Sequence, residues 1–282
     1  MRAPEILIFD SGVGGLSVAG CIRRQLPGAH LSYLADNACF PYGDQPEELV
    51  SARCVSLVHQ ARLHKPVDVI VIACNTASTV VLPHLRAVID IPVVGVVPAI
   101  KPAARLSDNG RIGLLATPAT VKRVYLEQLV IDFAADCVIE RVGHPDLVRW
   151  IEAWVAGVPL PESRLRSALE PFRLAGVDTV VLGCTHYPLI LDTLKALLPT
   201  VRHWIDSGEA IARQTAHLLA QRGFDSGNDT HSGAGLQTVW FTGQIPTGIA
   251  GYLERVGLSA RQTLASWPET EGSTDSLATG SV

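Results

Sequence analysis

The chain has 282 residues, 48% of them hydrophobic and 18% charged, with a formal net charge of −4. That is enough apolar material to bury a sizeable core, about two domains by length, and too much for a disordered chain. The slightly acidic balance gives no electrostatic footprint for nucleic acid, and no run of about 18 uncharged apolar residues offers a membrane span. In chain order, Ile6 to Phe9 predicts a buried strand. The turn Asp10-Ser11-Gly12-Val13-Gly14-Gly15 closes it, and a helix follows from Leu16 to Gln25. Asp10 ends the first apolar run too early for a secretory signal, so a cytoplasmic location is expected. Leu31 to Leu34 predicts a second strand, and Glu47 to Leu63 a helix with Pro46 suited to its first turn. Val67 to Ala73 is a near-continuous Val/Ile run, as in strands buried on both faces. A helix is expected after it, through Leu85, and then a strand from Val93 to Val97. Ile112 to Leu115 opens a second series, with a helix from Val121 to Val130 behind it. Leu147 to Ala156 and Arg164 to Ala175 predict helices, and Thr179 to Leu182 a buried strand. Strands separated by helices imply right-handed βαβ units in parallel sheets, an α/β fold. Phe224 to Gln237 reads as a surface loop, and the stretch from Ser266 onward as a disordered tail.

One segment repeats. Val67-Asp68-Val69-Ile70-Val71-Ile72-Ala73-Cys74-Asn75-Thr76 matches Val177-Asp178-Thr179-Val180-Val181-Leu182-Gly183-Cys184-Thr185-His186, 110 residues later. Each copy is a buried strand ending in Cys and two polar residues, which suggests two α/β units of similar topology. Ligands of open α/β sheets bind beyond the carboxyl ends of the strands. Four such ends carry polar groups: Asp10-Ser11-Gly12, Cys74-Asn75-Thr76, Ala116-Thr117 with Thr120 nearby, and Cys184-Thr185-His186. Cys74 and Cys184 are expected at helix starts, where the dipole and free amides lower a thiol pKa below about 8.5. The same amides favour an anion. Two such ends face to face would hold a carboxylate substrate between two activated thiols.

Other readings of these residues stand beside that one. The Gly12–Gly15 turn could be a phosphate loop, although it lacks the Gly-x-x-x-x-Gly-Lys spacing. Cys184 with His186 could be half of a cysteine hydrolase site, which would leave Cys74 unexplained. Asn75, Thr76 and Thr185 could serve only as helix caps. No Cys-x-x-Cys pair occurs, so no structural zinc is expected. Cys21, Cys39, Cys54 and Cys137 read as small buried hydrophobes. No lysine sits at the four strand ends, so no pyridoxal-type Schiff base is indicated.

Phe9 to Val18, Pro41-Tyr42-Gly43, Ala73-Cys74-Asn75-Thr76-Ala77 and Gly183-Cys184-Thr185-His186-Tyr187-Pro188 resemble, in order, the signature segments of the glutamate racemases. The resemblance implies two similar parallel-sheet α/β domains with the active site in the cleft between them. Residues 1–98 plus 208–264 would form the first, residues 99–207 the second, and 265–282 the tail. It implies cofactor-independent interconversion of L- and D-glutamate, without a metal, supplying D-glutamate for peptidoglycan. Cys74 and Cys184 take the place of the two acid/bases, with Asp10 beside the first, His186 beside the second, and Glu152 assisting the second. Asp10, Ser11, Tyr42, Gly43, Asn75, Thr76, Thr117, Thr120, Thr185 and His186 fall where the family binds its substrate. The family includes homodimers, so a homodimer is compatible. Gln45 departs from the pattern, standing where many members carry Lys or Arg. The competing functions are racemisation of another acidic amino acid, a related one-cysteine decarboxylase, and glutamate binding without catalysis.

Overall fold

A computed structural model describes residues 2–224 and 235–268. The first series runs β1 (Glu5–Asp10), α1 (Leu16–Gln25), β2 (His30–Ala35), α2 (Glu47–His64), β3 (Val69–Ile72), α3 (Asn75–Val88) and β4 (Val93–Val94). The second runs α4 (Ile100–Leu106), β5 (Arg111–Ala116), α5 (Pro118–Val121), α6 (Val124–Phe133), β6 (Val138–Gly143), α7 (Leu147–Val155), α8 (Glu162–Ala175), β7 (Thr179–Leu182), α9 (Leu191–Leu197) and β8 (His203–Ile205). The chain then returns through α10 (Gly208–Gln221), β9 (Leu236–Phe241), α11 (Ile249–Arg255) and β10 (Ala260–Leu264).

All strand pairings are parallel, as the alternation of strand and helix requires. One sheet has the order β10-β9-β2-β1-β3-β4, the other β6-β5-β7-β8. The last four strands of the first sheet and the four of the second follow the same topology. The sequence repeat is thus a structural repeat in which β3 corresponds to β7. Each copy is anchored alike at its start. Asp68 accepts the N–H of Glu5, and Asp178 accepts those of Asp108 and Asn109.

Alternation along the strands sends side chains to both faces of each sheet. Ile6 and Ile8 of β1 pack on the α1 and α10 side, while Leu7 and Phe9 pack on the α2 and α3 side. The second sheet is likewise covered on both faces. Each fully buried Val or Ile contributes roughly 1.5–3 kcal/mol of transfer free energy. The four residues of β3, all buried, therefore leave no room for a polar group until Cys74.

Several expectations shift. The strand expected from Val93 to Val97 pairs only at Val93 and Val94, because Gly95 passes tight under Leu82 as the chain crosses to the second sheet. The helix expected from Val121 to Val130 is two helices, broken where Arg123 turns extended and pairs with Glu47. Leu236 and Gln237, assigned to a loop, belong to β9, and residues 225–234 lie outside the described residues. Of the tail expected from Ser266, residues 266–268 are described and ordered against the first sheet. Trp267 is 4% exposed and packs on Trp240, ring centroids 5.2 Å apart. The rest of it, 269–282, lies outside the described residues. Cys21 and Cys54 are buried as expected, but Cys39 and Cys137 are only half-buried, on a 3-10 turn and before an edge strand. All six cysteines are free.

Candidate active site

Strand order reverses beside β1 and β3 in one sheet and beside β5 and β7 in the other. Such reversals open a crevice at the carboxyl ends of the strands. One further backbone bond past each strand holds the chain extended, Ala73 N–H to Phe9 O at 2.8 Å and Gly183 N–H to Leu115 O at 2.7 Å. The next residues are Cys74 and Cys184. Both line one cleft of about 460 Å³, open at its mouth. Ser11, Tyr42, Gly43, Asn75, Thr76, Thr117, Thr185 and His186 line it with them.

On the first side, Ser11 Oγ lies 3.8 Å from Cys74 Sγ. Asp10, fully buried, sits behind the lining. Its Oδ1 accepts the Gly12 N–H at 3.0 Å and its Oδ2 accepts the Thr185 hydroxyl at 3.0 Å. Burial pushes the Asp10 carboxyl up to about 6, against the pull of His186. Burial and the Asp10 carboxylate push the Cys74 thiol up to about 12. This corrects the expected lowering of the thiol. Cys74 does stand before α3 and is drawn down by the Ala77 N–H, but one amide does not offset burial beside a carboxylate.

On the second side, Cys184 Sγ lies 3.7 Å from His186 Nδ1. The other ring nitrogen, Nε2, is 2.7 Å from Glu152 Oε1. That oxygen also accepts the Val13 N–H at 2.7 Å, so α7 is tied to the glycine-rich turn of the other sheet. Burial opposes charge on His186, yet its bonds to Cys184 and Glu152 raise its pKa well above the ordinary value. The glycines make this approach possible. A Cβ on Gly14 would overlap His186 and Thr185, and one on Gly12 would overlap Glu152. A second correction concerns Cys184. It is followed by a turn and a 3-10 helix (Tyr187–Ile190), so no α-helix start lies at its thiol.

Not every expected residue reaches the cleft. Thr120 is buried and shares a 3.0 Å bond with Thr117, whose hydroxyl caps α5. Tyr42 lines the cleft, but its hydroxyl is donated to Asp36 at 2.6 Å. Asp10 and Glu152 lie behind the lining residues. Asn75 Oδ1 is buried without a partner. Sequence reasoning did not single out Phe40, whose ring lies 5.7 Å from that of His186, or His144, on the loop before α7. Neither position carries a periodicity or motif signal. Among the described residues no group of three His, Cys, Asp or Glu side chains is placed to hold a metal ion. No helix among them is long and apolar enough to cross a membrane.

Comparison with known proteins agrees with this arrangement. The Asp/Glu/Hydantoin racemase family matches residues 14–215. A glutamate racemase of Shewanella sp. (strain ANA-3) is 46% identical over 262 residues, 92% of this chain and 96% of that protein. One of Klebsiella pneumoniae (strain 342) is 52% identical over 225 residues, 79% of this chain and 80% of that protein. The crystal structure of Escherichia coli glutamate racemase, in complex with L-glutamate and the activator UDP-MurNAc-Ala, superposes with a TM-score of 0.84 at 44% identity, covering 94% of this chain and 99% of that one. Topology, the paired strand-end cysteines and identity over most of both chains lead to one assignment: this chain is an amino-acid racemase and belongs to the Asp/Glu/Hydantoin racemase family, with glutamate racemases among its relatives.

Proposed function

We propose that the cleft interconverts L- and D-glutamate by a two-thiol mechanism, without a cofactor. The observation that carries this reading is the placement of Cys74 and Cys184 on corresponding ends of two sheets, lining one cleft. Racemisation needs a base on one face of Cα and an acid on the other. One thiolate takes the α-proton while the opposite thiol delivers its own, and the roles exchange for the reverse direction. The two sides are unequal at rest. Cys74 holds its proton, whereas Cys184 stands 3.7 Å from His186 Nδ1.

The developing charge on the substrate needs preorganised donors. Asn75, Thr76, Thr185 and Ser11 supply amide and hydroxyl groups at the cleft wall. The unpartnered Asn75 Oδ1 offers an acceptor for the ammonium group. The relatives named above support glutamate as the substrate. D-glutamate made here would serve peptidoglycan synthesis in the cytoplasm, a compartment in which six free cysteines persist.

Circular dichroism of purified protein with D-glutamate tests the reading, with and without UDP-MurNAc-Ala. The expected result is decay of the signal to zero with no added cofactor. A static signal in both arms, or release of a product other than L-glutamate, would overturn it.

A further inference from the structure

Asp36 follows β2, and its N–H donates to Asp10 O at 2.9 Å, so it starts beside the catalytic wall. Its side chain is fully buried, yet it lines no part of the cleft. Its two oxygens take four donors. Oδ2 accepts the Tyr42 hydroxyl and Arg53 Nε, both at 2.6 Å. Oδ1 accepts Arg53 Nη2 at 2.5 Å and the Thr242 hydroxyl at 2.6 Å. Arg53 comes from α2, Thr242 from the chain just past β9, and Tyr42 from the intervening loop. One carboxylate thus joins three segments, beside the Cys54–Tyr42 contact and the bonds of Asn37 and Ala38 to residues 242–244.

That loop supplies Phe40, Pro41, Tyr42, Gly43 and Asp44 to the cleft, and Phe40 lies against His186. The Tyr42 phenol is 1% exposed and its hydroxyl is committed to Asp36, so the loop meets a ligand through its backbone. A backbone can be positioned only by what holds it. The carboxylate is buried and the guanidinium half-buried, and an ion pair taken out of water is a poor device for stability alone, since apolar residues of similar volume often serve as well. A guanidinium fork fixes direction as well as charge.

We propose that the Asp36–Arg53 pair is a positioning device for substrate affinity: it fixes the Phe40–Asp44 loop, and with it the substrate-facing backbone of Tyr42 and Gly43. The proposal rests on the reading of this cleft as the racemase site. Its effect belongs to binding, because the clamp touches neither thiol.

The test compares wild type with Arg53→Met, Arg53→Lys and Tyr42→Phe in the full chain. It reads melting temperature, KM and kcat in both directions, and the D-glutamate Kd by calorimetry, all at a temperature where each protein is folded. Loss of the fork should raise KM and Kd on the order of ten-fold in Arg53→Met, with kcat changed by less than about three-fold, the mark of lost uniform binding. Arg53→Lys keeps the charge without the fork and should fall between. Tyr42→Phe should move KM in the same direction. A lower melting temperature with unchanged KM and Kd in these variants would mean that the pair only stabilises the fold, and would overturn the proposal. Should Arg53→Met not fold, Tyr42→Phe and Thr242→Val, which each remove one donor, decide in the same way. Wild type that binds D-glutamate without racemising it sinks the catalytic reading alone, and Kd then decides the clamp. Wild type that does neither sinks both.

Discussion

Asp10 shows how one residue is set against stability. Its pKa, raised from 3.8 to about 6 by burial, means that the folded state binds the proton more tightly than the unfolded chain. The stability this contributes is present below pH 4 and is lost as pH rises through about 6. Asp10→Asn should therefore melt above wild type at pH 7 to 8, by about 1–3 kcal/mol, with the gap closing toward pH 4. The amide can still accept from Gly12 and can donate to the Thr185 oxygen. Racemisation should fall in the same variant, the trade expected where function holds a group in an unfavourable site. Melting curves at pH 4 and 8 check this, and equal differences at both would contradict it. Cys74→Ser and Cys184→Ser should each lower kcat by several orders of magnitude, since a hydroxyl is a far weaker base than a thiolate. Each should still eliminate a leaving group from a β-substituted substrate analogue of one hand. The cysteines were legible because strand, register and repeat point at them together. The raised Cys74 thiol was not, because it arises from burial beside Asp10, a contact between residues far apart in the chain.

At the scale of elements, α7 matters through Glu152, whose single oxygen serves both Val13 and His186. The groups facing His186 are Cys184 and Glu152, with Asp10 close enough to feel its charge and the Phe40 ring beside it. Removing the Glu152 charge removes one of the partners that raise the histidine pKa. If protonated His186 is needed, Glu152→Gln should move the alkaline limb of kcat/KM to lower pH. A limb that stays in place while the melting temperature drops would leave Glu152 a tie between the two sheets and nothing more. The strands β1, β3 and β7 were readable from apolar runs bounded by turn residues. β6 and β10 were not, since they are edge strands with Glu140, Arg141, Arg261 and Gln262 in them. Helix α10 carried a usable signal in Ile211, Ala212, Thr215 and Leu219, which recur at helical spacing on its buried face.

At the scale of the molecule, two copies of one topology meet with their carboxyl-end crevices in a single cleft. Sequence repeats suggest such pairing but not how the halves are held. The ties are Ser17 to the Thr185 carbonyl and Glu152 to Val13, within the signature segments and α7, and Asp44 to Arg149 and Glu47 to Arg123, which carry no motif. The two outer ion pairs are exposed and add little stability, whereas the Thr185 hydroxyl to Asp10 bond between the halves is buried. The proposed mechanism requires one thiol on each face of a bound Cα, and proton transfer in heavy water examines that placement most directly. Starting from L-glutamate at low conversion, the product should carry deuterium at Cα while unreacted substrate stays protiated. The delivering thiol has exchanged with solvent, and the removed proton leaves on the opposite one. Appreciable protium in the early product would show a single group returning the hydrogen it removed, and would contradict two opposed thiols.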